Sequence, residues 1–296
     1  MNGAALADLT GVGTPLPHGS AMNGAALAAF EMAVLDAFSR SMKIPLWRLF
    51  GDKPVKLSTD ITIVIGSLIE AEAAARDFYK RGFRTFKIKV GREPELDIER
   101  VLMVAKRAPK SSIILDANQA FTAPVMLKFL KTLKAKGVVP VLLEQPVKKD
   151  DWDGLKQLTR SAGIPVCADE SVSSLKSAVF ALKSGSVNAI NIKLMKSGFL
   201  EGEAIVRLAR ATGAKLMIGA MMESALAITA AAHFAAGLGC FDFIDLDTTF
   251  FIKGPLARSP YVNVRGEFDV TKAKPGNILS FHQKCFEPSP SRGGRR

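Results

Sequence analysis

The sequence has few cysteines, no long uncharged hydrophobic run and no basic leader, and each absence excludes a class of protein. Its cysteines, Cys167, Cys240 and Cys285, are odd in number and fit no zinc-binding spacing, so we expect reduced thiols in a reducing compartment. No uncharged apolar run reaches about 18 residues, which argues against a membrane span. No basic segment precedes an apolar one at the N-terminus, so we expect a cytoplasmic protein without membrane partners.

Nucleic-acid binding is also poorly supported, despite a formal net charge of +12. The basic residues are scattered apart from a cluster at 292–296, and we find neither a helix-turn-helix pattern nor an aromatic-basic RNA motif. The charge therefore predicts a solvated basic surface that favours anionic substrates, with no nucleic-acid partner. A composition of 48% hydrophobic and 23% charged residues indicates a globular protein.

After Lys56 short β-rich runs alternate with amphipathic helical stretches, which predicts an α/β fold with a parallel sheet. The predicted strands are 61–65, 85–90, 113–116, 139–144, 165–169, 189–194, 215–218 and 243–246. The predicted helices between them are 69–81, 96–108, 123–136, 155–161, 175–184, 201–212 and 224–236. Eight such units in a chain of this length favour a closed TIM-like (β/α)8 barrel over an open sheet.

Charged side chains stand at the ends of most of these strands, where barrel enzymes carry their chemistry. They are Lys87 and Lys89, Asp116, Glu144, Asp169, Lys193, and the pair Asp245 and Asp247. A single carboxylate after a strand usually caps the next helix. Carboxylates from three successive strands, Asp116, Glu144 and Asp169, would repel one another unless a cation lay between them. Oxygen ligands suit a hard divalent ion, so we predict that these three bind Mg²⁺.

The lysines indicate acid–base chemistry across the barrel. Lys87 and Lys89 alternate with apolar residues on one strand and therefore share a face, while Lys193 lies in an apolar strand on the opposite wall. Burial and a nearby cation lower the pKa of a lysine, which would make Lys89 a usable base. A substrate carboxylate on the metal would place its α-carbon between Lys89 and Lys193. Proton removal and return would give epimerisation, and expulsion of a β-group is the other possible outcome.

Together these segments resemble the enolase superfamily, in its muconate lactonizing subgroup. The matching segments are Lys87-Ile88-Lys89, Asp116-Ala117-Asn118, Glu144-Gln145-Pro146, Asp169-Glu170-Ser171 and Asn191-Ile192-Lys193. The resemblance implies a modified (β/α)7β barrel, Mg²⁺ at the three carboxylates, an acid–base pair of Lys89 and Lys193, and support from Lys87 for the substrate carboxylate. Histidine-based branches fit poorly, because His18, His233 and His282 stand at no strand end.

Within that subgroup the chain is most similar to dipeptide epimerases. The segment from Asn191 to Gly198 and the Asp245-Leu246-Asp247 segment carry this likeness. The resemblance implies that Asp245 and Asp247 bind the dipeptide's α-ammonium group, which two carboxylates suit. It also implies a possible homo-oligomer. The expected activity is epimerisation by 1,1-proton transfer through an enediolate intermediate.

The family's N-terminal capping domain is expected to be incomplete here. We predict a helical remnant of that domain at 1–55, the barrel at 56–260, a segment returning to the cap at 261–285 and a disordered tail at 286–296. The missing loops would normally exclude water and contact the distal side chain of the substrate. Phe199 stands where the family usually has glycine.

Two other functions remain open at this stage. A cycloisomerase or an o-succinylbenzoate synthase-like lyase could use the same site, but a diacid substrate has no use for Asp245 and Asp247. An inactive truncated remnant, or a binding partner of intact copies, would follow from loss of the cap.

Overall fold

The computed structural model describes residues 23–253 and 259–275. Several sequence-based expectations lie outside these residues, among them Cys285, His18, His282 and the tail at 286–296. The predicted division into a cap remnant, a barrel and a returning segment stays a prediction.

The centre of the molecule is an eight-stranded parallel sheet whose strands follow the order of the chain. After a short strand β1 (Leu57–Ser58), the sheet consists of β2 (Ile61–Ile63), β3 (Thr85–Lys89), β4 (Ser112–Asp116), β5 (Leu142–Glu144), β6 (Val166–Ala168), β7 (Ala189–Lys193), β8 (Lys215–Gly219) and β9 (Phe243–Ile244). These strands agree with the eight predicted ones to within a few residues.

The sheet closes on itself between β2 and β9. The backbone N–H of Asp60, just before β2, donates to the carbonyl oxygen of Ile244 at 2.8 Å. Beyond β9, the N–H of Leu246 donates to Thr59 Oγ1, also at 2.8 Å. The first and last strands are therefore neighbours, and the predicted barrel is confirmed.

Seven helices alternate with the eight strands, which is the predicted (β/α)7β arrangement. They are α2 (Leu68–Arg81), α3 (Pro94–Arg107), α4 (Ala123–Ala135), α5 (Trp152–Ser161), α6 (Leu175–Lys183), α7 (Leu194–Thr212) and α8 (Ala225–Leu238), preceded by α1 (Gly24–Ser41). Helix α7 begins seven residues before its predicted start at 201 and directly follows β7. It bends at Gly198, whose φ of 74° favours glycine, and the bend hid the first turn from a periodicity argument.

Local sequence explains where these helices begin and end. Ser67 and Glu70 form a reciprocal capping box at the start of α2, and the Ser224 side chain caps α8. Gly82 and Gly213 end α2 and α7 in the left-handed conformation. Each cap satisfies backbone groups that would otherwise lack partners at a helix end.

The hydrophobic core has two layers, one inside the barrel and one between the sheet and its helices. The inner layer is small and fills the barrel away from its mouth; it comprises Ile114, Leu142, Cys167, Ala189 and Met217. The outer layer is the main core, and strand residues such as Ile88 and Leu115 are fully buried in it. Strands buried on both faces explain why the sequence shows apolar runs rather than strict alternation.

The segments flanking the barrel pack against its outside. Helix α1 packs on α7, and a 3₁₀ turn (Leu46–Leu49) covers α8. Strand β1 pairs antiparallel with β10 (Glu267–Phe268). Within residues 23–253 and 259–275, the structure has no helix long and apolar enough to cross a membrane.

His233 on α8 should make the stability of the protein depend on pH. Its ring is buried, Nδ1 accepts a hydrogen bond from the N–H of Trp47 at 3.2 Å, and burial lowers its pKa to about 4. The unfolded chain takes up the proton near the ordinary pKa of 6.5, whereas the folded chain resists it. Stability should therefore fall by about 2 kcal/mol as the pH drops from about 7 to about 5.

Denaturant unfolding of the wild type and of His233→Asn at both pH values measures this contribution. Asparagine keeps an acceptor for Trp47 but does not titrate, so the stability advantage of the wild type should shrink at the lower pH. An advantage of the same size at both pH values would contradict the assignment.

Candidate active site

The predicted site residues meet at the mouth formed by the C-terminal ends of the strands. The β-ladder pairs Lys89 with Asp116 and Asp116 with Glu144, so these side chains start from adjacent positions on β3, β4 and β5. Asp169 directly follows β6, Lys193 ends β7, and Asp245 follows β9. Because all of these strands are parallel, their ends lie on the same side of the barrel.

Lys87 connects the predicted metal ligands to the predicted substrate-binding carboxylates. Its Nζ lies 2.9 Å from Asp116 Oδ2, 2.8 Å from Glu144 Oε2 and 2.6 Å from Asp245 Oδ2. Burial opposes the charge on Lys87, but these carboxylates raise its pKa well above the ordinary value. Lys87 is therefore a buried cation shared by carboxylates from three strands.

Lys89 and Lys193 bind carboxylates on opposite walls. Lys89 Nζ donates to Asp116 Oδ2 at 2.6 Å and to Asn118 Oδ1 at 2.7 Å, and its side chain is 29% exposed toward the mouth. Lys193 Nζ donates to Asp169 Oδ2 at 2.7 Å. Strands β3 and β7 are four positions apart in a sheet of eight, so the two amines face each other across the barrel.

Lys196 is a further site lysine, to which the sequence analysis gave no role. Its Nζ donates to Asp169 Oδ1 at 2.8 Å, to the Asp169 carbonyl at 2.7 Å and to the Asn191 carbonyl at 2.9 Å. An ammonium group has three N–H donors, and all of them are used. Lys196 therefore orients the Asp169 carboxylate and is not free to exchange a proton with a substrate.

The carboxylates in this site differ in how far their charge is compensated. Burial, and then the charge of Asp116, raises the pKa of Glu144 to about 7. Burial also disfavours charged Asp116, but the nearby Lys87 and Lys89 hold its pKa below the ordinary value. The pKa of Asp169 is likewise lowered, despite burial, by Lys196 and Lys193.

Asp116, Glu144 and Asp169 are the predicted ligands of a divalent cation, although in the described part of the chain their oxygens do not all lie within 4.8 Å of one another. One oxygen of Glu144 accepts from Asn191 Nδ2 at 2.7 Å, whereas Oε2 accepts no well-aligned hydrogen bond, although Lys87 lies near it. Buried carboxylates on neighbouring strand ends are the kind of hard oxygen ligand that Mg²⁺ prefers, and here Lys87 pairs with Glu144 Oε2 at 2.8 Å. Asp116, Glu144 and Asp169 are the residues that would hold Mg²⁺.

Asp60 is a site residue that the sequence analysis missed. Among the described residues, the carboxylates whose oxygens all lie within 4.8 Å of one another are those of Asp60, Asp245 and Asp247. Burial, followed by the charges of Asp245 and Asp247, raises the pKa of Asp60 well above its ordinary value. Burial and Asp245 raise that of Asp247 to about 7. Asp60 precedes its strand, so a search of C-terminal strand ends passes over it.

Gln145 ties the ends of β5 and β6 together. Its side-chain oxygen accepts from the N–H groups of Asp169 and Ser171 at 2.9 and 3.1 Å. Its Nε2 donates to Ser171 Oγ at 2.7 Å and to the Val147 carbonyl at 3.1 Å. Gln145 directly follows Glu144, and its backbone φ is 34°. The amide thus fixes the loop that carries Asp169.

An apolar cavity of about 280 Å³ lies at the start of α7. Its walls come from α1, the start of α7 and the segment after β8, and include Ala28, Met32, Leu194, Phe199 and Met222. Glu223 also lines it and accepts a hydrogen bond from the N–H of Met221 at 2.9 Å. The cavity includes Leu194, the residue after Lys193, and its apolar walls suit an uncharged side chain.

The sequence of this chain is similar to a known protein family and to several characterised proteins. Residues 70–281 match the family model described as enolase C-terminal domain-like. A hydrophobic dipeptide epimerase of Citrifermentans bemidjiense is 59% identical over 86% of this chain and 71% of that protein. An L-Ala-D/L-amino acid epimerase of Populus trichocarpa is 44% identical over 76% of this chain, which spans only 55% of the poplar protein.

A solved structure also matches the fold closely. The dipeptide epimerase of Enterococcus faecalis, crystallised with Mg and the dipeptide L-Leu-L-Tyr, superposes with a TM-score of 0.80 at 36% identity. The match covers 87% of this chain and 73% of that one.

Proposed function

This chain belongs to the enolase C-terminal domain-like family, and on that premise we propose that it epimerises dipeptides with Mg²⁺ by 1,1-proton transfer. It is an isomerase of the racemase and epimerase class, and its cofactor is Mg²⁺. The observation that carries the proposed reaction is the pair of amines, Lys89 and Lys193, on opposite walls of one barrel mouth.

The proposed mechanism assigns a separate task to each lysine. The positive charge of Lys87 stabilises the substrate carboxylate and the carboxylates of Asp116, Glu144 and Asp245. Lys89 and Lys193 face the two sides of the α-carbon, so one amine accepts the α-proton and the other, charged, returns a proton to the opposite side. The product of the first transfer is an enediolate. When bound, Mg²⁺ stabilises the negative charge of that intermediate.

The surroundings of the lysine pair favour a dipeptide with a free amino terminus. Asp245 and Asp247 are buried carboxylates at the same mouth, which suit a cationic amine. The apolar cavity at the start of α7, the helix that directly follows Lys193 in the chain, favours an uncharged side chain over an acidic one. A diacid substrate of a cycloisomerase or a syn-eliminating lyase would be repelled by Asp245 and Asp247, so we place those reactions second.

Exchange of the α-proton for deuterium tests the proposal directly. Incubation of the protein with Mg²⁺ and a panel of dipeptides in D₂O should give a deuterated, epimerised product for peptides with apolar side chains. Chiral chromatography and mass spectrometry measure both changes, and chelation of the metal should stop them. No exchange with any dipeptide of a broad panel would reject the reaction and favour an inactive relative. Cytoplasmic location and a homo-oligomer stay predictions.

A further inference from the structure

The carboxylates of Asp60, Asp245 and Asp247 surround a point suited to a compact cation. Their oxygens lie within 4.8 Å of one another, so one point is no more than about 2.8 Å from an oxygen of each residue. That distance matches the hydrogen bond of an ammonium group to a carboxylate.

Asp60 is the residue that points to a ligand there. Its side chain is buried, and neither of its carboxylate oxygens has a hydrogen-bond partner among residues 23–253 and 259–275. A buried carboxylate without a hydrogen-bond partner destabilises the fold unless a bound ligand supplies the missing partner. Asp245 is different, because Lys87 lies 2.6 Å from its Oδ2.

The charges around this point leave room for one further cation. Lys87 forms ion pairs with Asp116, Glu144 and Asp245, so one positive charge neutralises only part of the charge of three carboxylates. In the described part of the chain, no ion pair reaches Asp60 or Asp247, and Asp247 Oδ2 accepts a hydrogen bond from the N–H of Thr62 at 2.7 Å. These two buried carboxylates therefore have no cation at ion-pair distance.

We propose that Asp60 is the third carboxylate of a subsite that binds the protonated amino terminus of the substrate, together with Asp245 and Asp247. The assignment rests on the proposed function, because a dipeptide supplies that ammonium group. Barrel closure positions the subsite: the Asp60 N–H donates to Ile244, which directly precedes Asp245. Asp60 thereby makes the enzyme selective for substrates with a free amine.

The test compares Asp60→Asn with the wild type. The variant keeps the size of the side chain but removes its charge. The KM for a dipeptide should rise about ten- to a hundredfold, with a smaller change in kcat, because charge-assisted hydrogen bonds to the amine are lost. The ratio of kcat/KM for the dipeptide to kcat/KM for the matching N-propionyl amino acid, which lacks the amine, should fall by a similar factor. Asp36→Asn is the control, since Asp36 is equally buried but lies on α1.

Stability without substrate separates this subsite from a purely structural role. Because neither oxygen of Asp60 has a hydrogen-bond partner in the described part of the chain, Asp60→Asn should not lower the melting temperature of the substrate-free protein. Loss of a structural aspartate would lower it. Dipeptide should raise the melting temperature of the wild type and do so much less in the variant. A lower melting temperature in the variant, or unchanged KM and selectivity, would overturn the assignment.

Inorganic cations are the competing occupants. If K⁺ or Na⁺, compared with choline at equal ionic strength, stabilises the wild type but not Asp60→Asn, while dipeptide stabilises both equally, the subsite holds an inorganic ion and the ammonium assignment fails. Dipeptide binding without turnover would overturn the proposed reaction and leave the subsite standing. A wild type that gains no stability from any dipeptide would overturn the subsite.

Discussion

Replacing Lys193 by methionine should abolish epimerisation while exchange of the α-proton continues from only one epimer of the substrate. Lys89 remains on its wall, bound to Asp116, and still reaches the proton that points toward β3. The opposite face has no amine left to deliver a proton. Lys89→Met should give the mirror result, with exchange restricted to the other epimer.

The expected size of the effect follows from the role of each amine. A positioned acid or base contributes about 10²- to 10⁴-fold to the rate of a proton transfer. Interconversion needs both lysines, so kcat for epimerisation should fall by at least about a thousandfold in either variant. Exchange from the permitted epimer should fall far less.

Deuterium incorporation, measured separately for the two epimers by mass spectrometry, reads out this asymmetry. Lys215→Met is the matched control, because Lys215 starts β8 at the other end of the barrel and pairs with Asp242 on the surface. It should leave both reactions unchanged. Equal loss of exchange from both epimers in Lys193→Met would show that the two lysines do not act on opposite faces.

The barrel was predictable because its signals are local. Each strand is a short apolar run, and each helix has a cap or an amphipathic stripe, so the alternation is visible without long-range information. The bend at Gly198 in α7 broke that periodicity, and the helix start was therefore placed too late. The closure between Asp60 and Ile244 joins residues far apart in sequence and has no local signal.

The site residues were predictable only by the rule that barrel enzymes carry their catalytic side chains at the C-terminal ends of strands. That rule locates Lys89, Glu144 and Lys193, whose side chains the structure brings to one mouth. It misses Asp60, which precedes its strand and enters the site through the packing of β2 beside β9. Lys196 lies one helical turn after Lys193, where it resembles an ordinary surface lysine until Asp169 is placed beside it.

The ion pairs within the site could also not be predicted from the sequence. We expected Asp116, Glu144 and Asp169 to need a metal to relieve their repulsion. The structure shows that four lysines also compensate them, with Lys87 and Lys89 on one side and Lys193 and Lys196 on the other. Side-chain length and direction decide such pairs, and neither can be read from spacing along the chain.

Replacing Gln145 by leucine should weaken Mg²⁺ binding without touching a predicted metal ligand. The amide oxygen accepts from the backbone N–H groups of Asp169 and Ser171, and leucine would leave both donors buried without a partner. Outer groups that orient metal ligands typically change affinity by about 10- to 100-fold, and we expect a loss of that size. Two unpaired buried donors should also lower the free energy of unfolding by roughly 3 kcal/mol.

Isothermal titration with Mg²⁺ and denaturant unfolding measure these two effects on the same samples. Gln157→Leu is the control, because Gln157 lies on the exposed face of α5 and should alter neither quantity. Gln145 adds no charge to the site and acts only by holding the loop of Asp169. A loss of Mg²⁺ affinity would therefore come from a shift of that loop. A folded Gln145→Leu protein that binds Mg²⁺ as tightly as the wild type would show that Asp169 keeps its position without the amide, or that it is not a ligand.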